Sequence, residues 1–171
     1  MTRNIAKPGR KTRKSDLWAF CLTLYARPGV APACLALQDR HGADIPLLLA
    51  VLWHGLRGYG PAPLGKWRLL SKAWQRDAVV PLRDLRRAMK GREGWEEIRE
   101  GIKRLELAAE KAQLDSLAAT SKTGSPDSDP NRDMMAPLST LLGSAFATRQ
   151  TRKILAEMRK MSAASTRSRN T

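Results

Sequence analysis

Apolar positions return at helical intervals from the first well-patterned stretch of the chain. Leu17, Phe20, Cys21, Leu24 and Tyr25 share one face, widened by Trp18 and Leu22. Ser15 is placed to cap this helix, with Asp16 near its positive end. "RPGV" stops it, because Pro28 cannot extend a helix and Gly29 permits a turn. A second helix tolerates Pro32 in its first turn, carries Cys34, Leu35 and Leu37, and runs to about His41, where Gly42 suits a left-handed C-cap. Asp44 then caps a third helix, with Pro46 in the first turn and an almost wholly apolar body to Leu56. A helix that is apolar on every side belongs in the middle of a bundle.

"GYGPAP" (58–63) breaks the chain again. Trp67, Leu70 and Trp74 mark a fourth helix, with Arg68, Lys72 and Arg76 on another face. A fifth begins at Asp77 or Val80, near Pro81, with Leu82, Leu85 and Met89 opposite Arg83, Arg86, Arg87 and Lys90. After Gly91 and Gly94 the longest helix carries Trp95, Ile98, Ile102, Leu105, Ala109 and Ala112 at alternating steps of three and four, the spacing of a coiled-coil seam. This seam of residues 95–112 is expected to pack on another helix of the chain or on a second copy. "TSKTGSPDSDPNRD" (120–133) reads as a polar linker. A last amphipathic helix is expected over 137–161, loosely attached through that linker. Its basic face holds Arg149, Arg152, Lys153, Arg159 and Lys160. No period-two alternation appears, so no sheet is expected.

The pattern therefore predicts an all-α protein: a compact bundle of five or six helices with 45–56 central. Its parts are a disordered basic arm (1–14), a helical domain (15–119), the polar linker, an amphipathic helix within 134–161 and a disordered tail (162–171). Trp18, Phe20, Leu24, Leu48, Leu52, Trp67, Trp74 and Leu85 are the residues expected to be buried.

Charge changes this picture mainly at the ends. The chain has 31 Lys plus Arg against 16 Asp plus Glu, a formal +15. Residues 1–14 carry six basic groups and no acidic one, and 149–171 carry seven basic and one acidic. The remaining middle is only +3, from 18 basic and 15 acidic residues. Such ends attract acidic protein surfaces, nucleic acid or anionic lipid. The longest apolar run falls far short of the roughly 20 residues a membrane span needs, and two cysteines are too few for a disulfide framework. A cytoplasmic location is expected, with weak contact of the last helix with a membrane surface as a lesser candidate.

Candidate chemistry is sparse. Cys21, Cys34, His41 and His54 form no C-x-x-C or H-x-x-x-H pair. Cys34 and His41 are seven residues apart, about 10 Å of helical rise, whereas zinc donors must lie within about 4 Å of each other. No metal and no cofactor is expected. The same reach argues against Cys34, His41 and Asp44 as nucleophile, base and orienter, and His54 lies about 15 Å of rise beyond Asp44. "GLRGYGPAPLGK" lacks a preceding strand, has Trp67 where a phosphate loop needs Ser or Thr, and loses amides at Pro61 and Pro63. What the caps leave unexplained is a polar cluster, Gln38, Asp39, Arg40 and His41 with Asp44, a candidate ligand or catalytic surface. The second candidate is an anion-binding face of Arg68, Lys72, Arg76, Arg83, Arg86, Arg87 and Lys90.

The blocks "LWAFCLTLYARPGVAPACLALQDRHGADIPLLLAVLW", "VVPLRDLRRAMK" and "IKRLELAAEKAQLDSL" resemble an uncharacterised proteobacterial family of small helical proteins of unknown function. The resemblance spans about residues 15–119. It implies a polar residue where Pro46 stands, and it brings no activity, cofactor or catalytic residue. The best expectation is a non-enzymatic protein that binds an acidic partner through a basic helical surface. The alternatives are sequence-nonspecific nucleic-acid binding and an enzyme with a site around His41 and Asp44.

Overall fold

The computed structural model of the chain describes residues 16–121 and 129–167, all helix and connecting turns with no strand among them. The basic arm, Ser15 and residues 122–128 and 168–171 lie outside the described residues. Eight α-helices follow in order: α1 (Leu17–Tyr25), α2 (Val30–His41), α3 (Ile45–Leu56), α4 (Leu64–Trp74), α5 (Val80–Ala88), α6 (Glu96–Ala119), α7 (Pro130–Leu142) and α8 (Arg149–Arg167). The first three end where expected. Gly42 takes φ 62°, a conformation costly for any residue with a Cβ, and closes α2 with its N–H on Gln38 O. Asp44 caps α3 by accepting the Leu47 N–H at 3.1 Å.

Helix α3 is the axis of the bundle. Every residue from Ile45 to Gly55 is buried, and α1, α4, α6 and α7 pack around it. Each large apolar side chain removed from water there contributes about 1.5–3 kcal/mol. Gly55 sets how closely α7 approaches: a Cβ at that position would lie 2.6 Å from Met134 Cβ. His54 is 1 % exposed in this axis, ringed edge-on by Trp53, Tyr59 and Trp67 at 5.2–6.4 Å between centroids. No single described helix is long and apolar enough to cross a membrane.

Several expectations need correction. The boundary near Asp77 is no break: α4 passes into α5 through one π turn, Gln75–Val79, closed by the Val80 N–H on Gln75 O. Pro81 has no N–H and its ring crowds the carbonyl four residues back, so the wider turn absorbs it without ending the helix. At the other end, the last helix is two. Gly143 at φ 51° and a 3-10 turn (Gly143–Ala147) stop α7, and Thr148 turns extended and caps α8 by accepting the Thr151 N–H at 3.3 Å. Helix α7 also begins earlier, at Pro130, with the Arg132 N–H on Asp129 Oδ1. Neither helix is loosely held. Met134, Leu138, Leu142, Ala145, Ile154, Leu155 and Met158 belong to the one hydrophobic core, α7 lying on α3 and α8 on α2.

The burial of α5 and α6 differs most from expectation. Leu85 is 45 % exposed, and Trp95, Ile98 and Leu105 of the seam are 40–55 % exposed. The fully buried side of α6 carries Glu106, Gln113, Leu114 and Leu117 instead. Trp18, Phe20 and Trp74 are half-buried, while Leu24, Leu48, Leu52 and Trp67 are buried.

Candidate functional site

The polar cluster read at the α2–α3 turn separates in the structure. Arg40 and His41 are exposed on the last turn of α2, Gln38 is half-buried, and the exposed Asp39 pairs with Arg87 of α5 at 2.5 Å. Only Asp44 turns inward. Capping fixes its side chain at the head of α3, where α4 and α6 converge. Ser71, 1 % exposed, donates its hydroxyl to Asp44 Oδ2. Gln113, fully buried, donates Nε2 to the same carboxylate at 3.1 Å and to Ser71 Oγ. Gln75, carried round by the π turn, donates to Asp44 Oδ1 at 3.3 Å and to Gln113 Oε1 at 3.0 Å. Burial pushes the Asp44 carboxyl above its usual range, and the hydrogen bonds from Ser71, Leu47 and Gln113 pull part of the way back. The circuit joins four elements around one carboxylate. Each of these donors serves the ionised form, and the exposed His41 is no part of the circuit, so the arrangement fits a helix lock better than proton transfer to a substrate.

A second polar assembly lies beside it. Arg83, whose side chain is 9 % exposed, donates Nε to Glu106 at 2.9 Å and Nη2 to Glu110 at 2.8 Å. Arg86 donates to Glu106 Oε2 at 2.5 Å. Burial pushes the Glu106 carboxyl up, but the bonds from Arg86 and Arg83 outweigh it and leave the group below its usual range. Glu110 goes the other way: burial raises it, Arg83 offsets part of that, and the neighbouring Glu106 and Asp44 charges add to the rise.

These pairings dismantle the anion-binding face read on α4 and α5. Arg83 and Arg86 hold α5 against α6, Arg87 holds α2, and Arg76 pairs with the adjacent Asp77. Arg68 donates to the Thr140 carbonyl of α7 at 2.6 Å. Only Lys72 and Lys90 stay exposed with neither an ion pair nor a side-chain hydrogen bond among the described residues. Periodicity places Arg83, Arg86 and Arg87 on a side away from Leu82, Leu85 and Met89, which reads as the solvent face; the acidic residues that claim them lie 20–48 positions away.

The basic face of α8 fares differently. Lys153 and Lys160 reach Glu157 at 3.2 and 2.8 Å, and Arg27 joins them at 3.3 Å. The Lys160 and Lys153 bonds hold the Glu157 carboxyl down at about 2. Arg149, Arg152 and Arg159 are exposed, with no ion pair among the described residues. Helical spacing puts Arg149, Arg152, Lys153 and Lys160 opposite the buried Thr151, Leu155 and Met158.

The thiols are quiet. Burial pushes Cys21 up to about 12, with Cys34 adding to it, and Cys34 up to about 11, so neither offers thiolate near neutrality. Among the described residues no three His, Cys, Asp or Glu side chains gather as metal ligands.

The fold and its polar interior thus define a small all-helical protein in which Arg83, Arg86 and Arg87 of α5 and Glu106 and Glu110 of α6 act as internal ties. The chain belongs to the family described as "Protein of unknown function (DUF2390)", whose model matches residues 16–117. No curated protein and no solved structure matches the chain. The matched span holds the Asp44 circuit and the Arg83–Glu106 assembly, while α7 and α8 lie beyond it.

Proposed function

We propose that this is a non-enzymatic interaction protein that holds an acidic partner protein against the outward face of α8. The observation that carries this reading is the contrast between α5 and α8: the arginines of one are paired within the molecule, while Arg149, Arg152 and Arg159 of the other are exposed with no ion pair among the described residues. Over about 16 Å of helix, residues 149–160 present five basic side chains against the single carboxylate of Glu157. Their placement is poor for stability. The first turn of α8 has no acidic residue, and cations near the positive end of a helix are each unfavourable by about 0.3–1 kcal/mol. An acidic partner would reverse that term, meeting both the side chains and the helix end.

The test is retention of the full chain on immobilised polyglutamate and on duplex DNA over a salt series. Replacing Arg149, Arg152 and Arg159 together by Glu is expected to weaken polyglutamate binding about tenfold or more at low salt. Replacing Lys72 and Lys90 by Glu is expected to change it far less. Equal retention of the two variants would overturn the assignment to α8. Much tighter binding to DNA than to polyglutamate at matched salt would transfer the reading to nucleic acid.

A further inference from the structure

Between α1, α3 and α6 lies a cleft of about 150 Å³. Trp18 and Tyr25 from α1, Ile45 and Leu49 from α3, and Leu107 and Leu114 from α6 form its walls, and Glu110 is its one charged lining residue. This volume matches a single ring or a short branched alkyl group; a cavity of about this size takes benzene. At the mouth, Leu22 is 54 % and Leu107 51 % exposed, so the apolar lining continues to the surface.

The position of Glu110 is unusual within the molecule. Its Oε1 accepts one bond from Arg83, and that arginine also serves Glu106, which takes Arg86 as well. Two guanidinium groups therefore answer three neighbouring carboxylates, Glu106, Glu110 and Asp44, and of these Glu110 alone lines the cleft, sharing its arginine with Glu106. The aromatic side chains of Tyr25 and Trp18 both line the cleft. Aromatic walls with one carboxylate that shares its arginine favour a cation that carries apolar surface, since ring quadrupoles and the carboxylate attract the same charge.

We propose that this cleft is a binding site for an organic ammonium group, its compact apolar body seated between Trp18, Leu49 and Leu114 and its N–H donated to Glu110. Burial pushes the Glu110 carboxyl upward, as the neighbouring carboxylates do, and a bound ammonium would relieve both effects. The site does not depend on α8 and stands or falls apart from the acidic-partner reading. Free amines and the lysine of a peptide share this chemistry.

The experiment is methyl NMR titration of the full chain, following Leu22, Leu49, Leu107 and Leu114. The probes are phenethylammonium, the charge-reversed hydrocinnamate, and an Nα-acetyl-lysine amide. Phenethylammonium is expected to shift these methyls saturably, about tenfold more tightly than hydrocinnamate. Glu110→Gln should erase that preference. Because Glu110→Gln also touches Arg83, Leu107→Lys provides a second arm: it sets a competing ammonium at the exposed mouth, leaves the core intact, and should weaken phenethylammonium binding. Saturable binding of the lysine amide at equal or higher affinity would name a protein side chain as the source, and weaker binding a free amine. Equal shifts from the cationic and anionic probes, an unchanged preference in Glu110→Gln, or no saturable shift from any probe would overturn the site.

Discussion

Helices α3 and α6 are both central, and they are held by opposite means. Around α3 the chain buries side chains on every side, from Ile45 to Gly55, and the core residues that α1 and α7 bring to it are Leu, Met and Cys. Along α6 the inward positions include Glu106 and Gln113, and apolar residues such as Ile98 and Leu105 are left outside. The apolar side tolerates imperfect detail, because dispersion and burial are non-directional. The polar side does not, since each ionic or amide group taken from water needs its partner in place. The bundle thus joins a side that adapts to one that must fit in a single register.

The sharpest way to break this comparison is to remove Glu106. Its carboxylate takes three arginine contacts, and the Arg83 side chain it faces is 9 % exposed. Glu106→Ala leaves Arg83 charged and under-paired, which should cost about 3–5 kcal/mol in urea unfolding. Replacing both partners, Arg83→Met with Glu106→Leu, should recover most of that loss. If the single change costs less than about 1 kcal/mol, the α5–α6 contact is not held by its ion pairs.

The same contrast explains what could be read in advance. An almost wholly apolar run entered through Gly42 and Asp44 permits one interpretation, and α3, its cap and its central place follow from residue type alone. The Arg83–Glu106 tie spans 23 residues and the Asp44–Gln113 bond 69, and no periodicity encodes such pairings. The seam over 95–112 stays largely exposed on the single molecule for that reason: its apolar spacing is real, but Glu106 and Gln113 direct α6 inward by a neighbouring face. Two other boundaries do carry local signals. Asp129 before Pro130 is the signature of a helix start, and Gly143 followed by Thr148 marks a stop and a new cap. Of the five residues in the polar cluster, Asp44 alone reached an enclosed site, through its capping role, and Ser71, Gln75, Gln113 and Glu110 carried no advance signal.

The apolar side has its own weak point at His54. Its Nδ1 donates to the Gly60 carbonyl at 3.1 Å, and its Nε2 has no hydrogen-bond partner among the described residues. Burial pushes the ring below its usual range, against the opposing influence of that carbonyl and of Asp133. The unfolded ring takes its proton near pH 6.5, and the folded ring takes it only at lower pH. Stability due to this site is therefore complete above pH 6.5 and falls as the pH drops toward the folded ring's own range, by up to about 1.4 kcal/mol per pH unit. Thermal melts from pH 7.5 to 5 should show His54→Phe less acid-sensitive than the unaltered chain. Parallel pH profiles would mean the ring is protonated, or hydrated, in the folded state.

The smallest effect is expected where the polar side shows apolar surface to water. Leu105 is 55 % exposed and Ile98 54 %. Changing either to Lys on a free helix face should move the unfolding free energy by no more than about 0.5 kcal/mol. That near-silence distinguishes α6 from α3, where Leu52→Ala falls in the range of about 2–5 kcal/mol for buried leucines. The comparison is decided by repeating the Leu105→Lys measurement over a hundredfold range of protein concentration. A constant small difference leaves α6 held from one side, by Glu106 and Gln113. A loss that grows with concentration means a second copy covers the stripe, because only association makes stability depend on concentration in this way. The spacing of 95–112 would then be a true seam between molecules, and α6 would be gripped by ion pairs on its inner face and by apolar contact on its outer one.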